Sequence, residues 1–219
     1  MIDTHKSKYA RNAARTFFDE SIRTALADVP RDSRIVDLGA GNGRTVDLYH
    51  EMGFKHIEVV DRANYLDDDI AKTITLHTCD LAFEPLPFKT AGLDIVSAYQ
   101  VIEHVENPWH MVREVSRCLK PGGLFLCSYP VSRDIRSRLR FLRRGDVLHF
   151  TRTNTHISFF TAAIESKLFS DFEQEAVHCL RNPILGLAKL QRILRIHMLF
   201  PARPFYSSKC LRVLRRTDT

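Results

Sequence analysis

Apolar residues recur at helical spacing across residues 7–27, where Ala14, Phe17, Phe18, Ile22 and Ala25 fall roughly on one side until Pro30 ends the pattern. The rhythm then changes. Arg34–Leu38 is a short β-rich run that leads straight into a glycine cluster, residues 43–52 carry helix formers up to Gly53, and His56–Val60 is a second strand. A polar helical patch at 65–71 precedes Thr73–Cys79, which alternates as a third strand, and Leu93–Ala98 is a fourth. Pro108–Leu119 places Met111, Val112, Val115 and Leu119 on one helical face and runs into the breaker Pro121-Gly122-Gly123. Leu124–Ser128 is a fifth strand, nearly all apolar.

Strand and helix therefore alternate at least four times in about 100 residues, and the strands are apolar runs rather than half-polar alternations. That pattern predicts an α/β fold: a Rossmann-like, doubly wound, mostly parallel seven-stranded sheet with an antiparallel last strand and helices on both faces. Ligands in such sheets bind outside the carboxyl ends of the strands, where strand order reverses. Past the fifth strand the rhythm breaks at 131–158, a polar insertion. A helix over Phe160–Phe169 and a sixth strand over Phe172–Val177 follow; Lys209–Leu214 is then placed as a last strand in a hairpin with the sixth. One domain is expected over 1–219, with a helical cap at 1–33, a ligand-binding core at 34–130, a lid or substrate segment at 131–158 and the end of the sheet at 159–219. A second amphipathic helix is expected within the last part, at 186–200.

Length and composition agree with one self-supporting globular unit: 219 residues, 44% hydrophobic and 26% charged. No apolar run approaches the roughly 20 residues of a bilayer span. The first residues, MIDTHKSKYARN, are polar and lack the apolar core of a secretory signal. Five scattered cysteines, an odd count with no C-x-x-C pair, argue for a reducing compartment and against a disulfide framework or structural zinc, so cytoplasm is the expected location. The net charge of +6 matters less than its placement, because seven arginines fall between Arg133 and Arg152.

Candidate chemistry begins at Val36-Asp37-Leu38-Gly39-Ala40-Gly41-Asn42-Gly43, between the first strand and a helix. Residues without side chains let the backbone turn tightly and approach a ligand, and the next helix presents unpaired N–H groups. Asp37 sits two residues before the first glycine, where a dinucleotide-binding turn carries an apolar residue. Arg44 occupies that fingerprint's third glycine position and is too bulky for it. Both facts count against a nicotinamide-dependent oxidoreductase. Asp61 ends the second strand, where a carboxylate can accept from both hydroxyls of a ribose; Asp80 follows the third, placed to meet an adenine amino group. Either alone reads equally well as an ordinary turn residue.

The segment Asp37–Gly43 resembles the first motif of the class I S-adenosylmethionine-dependent methyltransferases. Asp94-Ile95-Val96, then Val101-Ile102-Glu103-His104-Val105, then Leu119-Lys120-Pro121-Gly122-Gly123 resemble the later signature of their type 11 small-molecule subgroup. The likeness covers residues 34–130, and is weaker at His156-Ile157-Ser158-Phe159-Phe160-Thr161. It implies S-adenosyl-L-methionine as cofactor. Asp37, Gly39, Ala40, Gly41 and Gly43 would then serve its amino-acid end, Asp61 and the neighbouring Arg62 its ribose, Asp80 and Leu81 its adenine, and Gln100 and Val101 its methionine portion. Val60, where the family often has glycine, and Arg62 are departures.

A sulfonium brings its own electrophilic methyl group. The protein must hold the acceptor atom in line behind that carbon, and positioning alone supplies about 7–11 kcal/mol. An oxygen acceptor also needs a base. His104 is the first candidate, with His149 and His156 in the lid segment as further ones; Tyr129, ending the fifth strand, is expected to face the cleft and orient an acceptor. The plainer reading of Glu103-His104 is that either side chain pins the next helix. No metal site is expected, since neither H-x-x-x-H nor clustered carboxylates occur in the expected cleft. The arginine-rich segment, with Arg133, Arg136, Arg138, Arg140, Arg143, Arg144 and Arg152, suits a small or lipid-linked anionic acceptor, or is simply a solvated basic loop. RNA fits less well, with few stacking aromatics beside the arginines. The helix at 186–200 either covers a sheet or dimer face or lies on an anionic membrane surface. A catalytically inactive cofactor-binding partner subunit stays open.

Overall fold

The computed structural model describes residues 4–131, 134–180, 207 and 209–217. Seven strands and six helices follow in the order α1 (Thr4–Ala25), β1 (Arg34–Leu38), α2 (Arg44–Glu51), β2 (His56–Asp61), α3 (Asp68–Ala71), β3 (Thr75–Thr78), β4 (Leu93–Tyr99), α4 (Pro108–Cys118), β5 (Leu119–Pro130), α5 (Ile135–Arg144), α6 (Ala162–Leu168), β6 (Phe172–Cys179) and β7 (Lys209–Arg216). One sheet holds all seven strands in the order β3-β2-β1-β4-β5-β7-β6. β1 pairs in parallel with both β2 and β4, so strand order reverses at β1, between the ends of β1 and β4. β7 runs antiparallel between β5 and β6, as the sequence pattern predicts.

Side-chain alternation sorts the sheet into two cores. Ile35, Val59, Ile95, Leu124, Leu126 and Val213 pack under α1 and α2, with Ile22 of α1 and Leu26 just after it inserted. Val36, Val60, Val96, Phe125, Cys127 and Tyr129 face the other way, against Met111, Val112 and Val115 of α4 and Leu168 of α6. Of the predicted α1 face Ile22 is buried and Phe17, Phe18 and Ala25 are half-buried, while Met111, Val112 and Val115 of the predicted α4 face are all buried.

Three expectations change. Pro121-Gly122-Gly123 does not separate helix from strand: β5 begins at Leu119, and the extra residues are absorbed by a bulge where its register with β4 shifts between Leu93 and Ile95. The polar patch at 65–71 forms only one helical turn, Asp68–Ala71. Cys179 and Cys210 are bonded to each other, directly opposite across β6 and β7 with Cα atoms 4.2 Å apart. Spacing along the chain gave no sign of that pairing because sheet register creates it across 31 residues. The cysteine argument for a reducing compartment thus loses its premise, although Cys79, Cys118 and Cys127 are free and buried. Among the described residues no helix is long and apolar enough to cross a membrane. The helix expected at 186–200, like Arg133, lies outside the described residues.

Candidate active site

A cleft opens where strand order reverses, and it has two compartments. One, of about 330 Å³, is lined by Gly39, Asp61, Arg62, Cys79, Asp80, Leu81, Ala82, Gln100, Val101 and His104. The other, of about 210 Å³, is lined by Asp37, Gly39, Ala40, Asn42, Thr45, Tyr99, Gln100 and Ser128. Gly39 and Gln100 belong to both. The loops after β1, β2, β3 and β4 thus meet at two adjoining compartments that share these two residues.

The glycine turn is shaped by contact as well as by conformation. Gly39 has φ +67°, and a Cβ there would lie 2.5 Å from a Val101 methyl carbon, so the β1 and β4 loops meet only because the side chain is absent. Its N–H donates to the Val60 carbonyl at 2.7 Å. Gly43 does not line the cleft; at φ +88° it opens α2, and a Cβ would crowd Ile70 at 2.8 Å. Gly41 contributes through its N–H, which donates to Asp61 Oδ2 at 3.1 Å. The other Asp61 oxygen accepts from the Arg62 N–H at 2.7 Å. These two bonds aim the Asp61 carboxylate while leaving lone pairs for a ligand. Asp80 is set similarly, its Oδ1 accepting from the Ala82 N–H at 2.9 Å. Gln100 adopts φ +57°, a strained conformation for a residue with a side chain; its N–H is tied to the Ser128 carbonyl at 2.8 Å. Arg44, the misfit of a dinucleotide fingerprint, pairs with Asp19 of α1 and so fastens the helical cap beside the second compartment.

Asp37 is buried at the floor of that compartment. Its Oδ1 accepts from the Ser97 hydroxyl at 2.6 Å, and the Tyr49 and Tyr99 hydroxyls bond each other at 2.9 Å nearby. Burial, with Ser97 opposing and the Asp61 charge adding a little, raises the Asp37 pKa from 3.8 to about 7. A carboxyl so poised responds strongly to a cationic ligand.

The opposite wall carries the imidazoles. His104 ends a single 3₁₀ turn, Ile102–His104, and is exposed to the cleft. Its Nδ1 lies 3.1 Å from the Thr155 carbonyl and 2.9 Å from the Thr155 hydroxyl, so Thr155 holds that edge of the ring while the ring borders the cleft. His156 stands beside it with ring centroids 4.8 Å apart. His149 does not reach the cleft wall: burial lowers its pKa, and the charges acting on it are Asp134, Lys209, Arg136 and His156. Tyr129 is also not where the sequence expected it. Its ring is fully buried, against Phe160 at 4.9 Å and under the Arg212 guanidinium at 4.5 Å. Strand parity explains the correction. Ser128, one residue earlier, is the β5 side chain that lines the cleft, so Tyr129 must point into the opposite core.

Sequence reasoning missed Asn42, Thr45, Tyr99 and Ser128 as lining residues; Tyr99 and Ser128 face the cleft through inter-strand register, which spacing along the chain does not carry. It also missed Glu103 as a chemical group. That side chain is fully buried, both carboxylate oxygens lack a hydrogen-bond partner, and burial raises its pKa to about 8.

Known proteins share this arrangement. A family described as "Methyltransferase domain" matches residues 9–177. The dimethylglycine N-methyltransferase of Parasynechococcus marenigrum is 34% identical over 146 residues, 60% of this chain and 51% of that protein. The sarcosine/dimethylglycine N-methyltransferase of Aphanothece halophytica is 27% identical over 130 residues, 53% of this chain and 47% of that one. The chain therefore spans about half the length of the curated relatives it matches. In fold it superimposes with TM-score 0.58 on an S-adenosylmethionine dependent methyltransferase from Mesorhizobium loti, at 20% identity, covering 88% of this chain and 96% of that one. With the family matched across most of its length, this chain belongs to the methyltransferase domain family, of the class I S-adenosylmethionine-dependent kind.

Proposed function

We propose that the chain transfers the methyl group of S-adenosylmethionine, in line, to a small or lipid-linked anionic acceptor. The observation that carries this reading is that the compartment lined by Asp61, Asp80 and Leu81 and the one lined by Asp37 adjoin at Gly39 and Gln100, on the two sides of the glycine turn. Asp61 would take the ribose hydroxyls, Asp80 and Leu81 the adenine, and Asp37 the ammonium end, with Gln100 and Val101 beside the methionine chain. The cofactor supplies the electrophilic methyl. His104, exposed on the cleft wall, is placed to receive a proton from an acceptor hydroxyl.

Support for an anionic acceptor comes from α5. Arg138, Arg143 and Arg144 on it are exposed. Arg136 and Arg140 are partly committed, to Asp134 at 3.3 Å and Asp146 at 2.6 Å. Two relatives are named for small acceptors, dimethylglycine and sarcosine, which agrees with an acceptor of small size. Incubation with labelled cofactor and a panel of acceptors sorted by charge tests the reading: label should pass to carboxylated or phosphorylated compounds, and transfer only to neutral ones would remove the anionic part.

A further inference from the structure

Glu103 is the least explained group in the molecule. A fully buried carboxylate normally carries hydrogen bonds or a counter-charge, because an unpaired one costs several kcal/mol, on the order of a lost fold for a marginal domain. Here neither oxygen has a partner. What does lie next to it is a pair of imidazoles from opposite ends of a 52-residue separation, His104 and His156. One ligand atom from each of Glu103, His104 and His156 can be chosen so that all three lie within 4.8 Å of one another.

The histidines are prepared as ligands rather than as a stacked pair. His104 is held at Nδ1 by the Thr155 carbonyl at 3.1 Å and hydroxyl at 2.9 Å, which leaves Nε2 as the ring's other edge. The Nδ1 of His156 is buried without a partner. An imidazole fixed at one nitrogen and open at the other is the usual outer arrangement around a bound metal, and His104 has it. The framework is rigid as well: the N–H groups of Ile157 and Ser158 donate to the Glu103 carbonyl at 2.8 and 3.0 Å, and the Ser158 hydroxyl donates to the Val105 carbonyl at 2.9 Å. These bonds clip the segment carrying His156 onto the turn carrying Glu103 and His104.

We propose that Glu103, His104 and His156 form a binding site for one divalent transition-metal ion. Two neutral imidazole nitrogens and one carboxylate suit Zn²⁺, Mn²⁺, Fe²⁺ or Co²⁺, and are a poor match for Mg²⁺ or Ca²⁺, which prefer all-oxygen shells. The ion would give the Glu103 oxygens the partner they lack. Because His104 also lines the cleft, an oxygen of an incoming acceptor would meet the ion there. This last consequence alone rests on the proposed methyl transfer. With the ion bound, the His104 lone pair is committed to it and is no longer open to a proton.

The test uses tag-free protein, stripped with a chelator and titrated with Zn²⁺ and with Mn²⁺ in a calorimeter, without cofactor. One equivalent should bind, Mg²⁺ should compete poorly, and the thermal midpoint should rise with the metal. Glu103→Gln and His156→Ala should each weaken binding by about 10–100-fold or more. His56→Ala, an exposed histidine elsewhere, should leave it unchanged. Absence of a stoichiometric ion, or equal affinity in Glu103→Gln and His156→Ala proteins that remain folded by circular dichroism, overturns the site. Metal binding by a protein that ignores S-adenosylmethionine would leave this site standing and remove the proposed function.

Discussion

Two buried carboxylates stand on opposite sides of the same cleft, and they are held in different ways. Asp37 is inside a hydrogen-bonded polar group, accepting from Ser97 at 2.6 Å beside the Tyr49–Tyr99 pair. Glu103 has no such support, and its neighbours are the two imidazoles. Burial raises both, to about 7 and about 8. The difference lies in what each awaits: Asp37 is built into the protein's own network and needs only a cation at the cleft floor, whereas Glu103 is complete only with something the chain does not provide. On the proposed reading, the cofactor side is finished by the fold and the acceptor side by the metal ion.

Variants can break that contrast, beginning with the largest effect. Gly39→Val places a branched side chain at φ +67° against Val101, so cofactor affinity should fall by about 100-fold or more in calorimetry. His104→Ala, on the other wall, should lower turnover by about 100-fold while cofactor affinity changes little; equal losses in both would make His104 a structural residue. Asp61→Asn removes a charge already oriented by Gly41 and Arg62, and cofactor affinity should drop by about 10-fold.

Asp37 gives a pH signature. Its folded pKa lies above the unfolded value of 3.8, so between about pH 4 and 7 the ligand-free folded state holds a proton that the unfolded chain has released. That contribution to stability is full below the window and is lost as pH rises through it. Asp37→Asn should flatten this part of the stability profile, measured by denaturant unfolding at pH 5 and pH 8. Affinity for a cationic ligand should rise over the same window in the wild type and not in the variant. The smallest effect is expected from the arginines: replacing Arg138, Arg143 and Arg144 by serine should raise the acceptor's KM several-fold and leave kcat alone, and a change in solubility only would make α5 a solvated basic surface.

The same division governs what could be read from the chain. On the cofactor side each residue lies within a few positions of a strand end, in motif order, so local spacing locates Asp37, Gly39, Asp61 and Asp80 before any coordinates. Ser128 and Tyr129 show the limit of that reading. Both end β5, and only the register of β5 against β4 says which one reaches the cleft. On the acceptor side the information is non-local. Glu103 and His156 meet because Ile157 and Ser158 donate to the Glu103 carbonyl, and Cys179 meets Cys210 because two antiparallel strands align. No periodicity encodes either contact.

The central claim is that the turn at 37–43 and the aspartates at 61 and 80 hold one nucleoside-bearing ligand. Calorimetric titration of the wild-type chain with S-adenosylmethionine and with its demethylated product tests it most directly. One equivalent of each should bind, with affinity lower by about 100-fold or more in Gly39→Val. A folded wild-type protein that releases no heat with either compound contradicts the account.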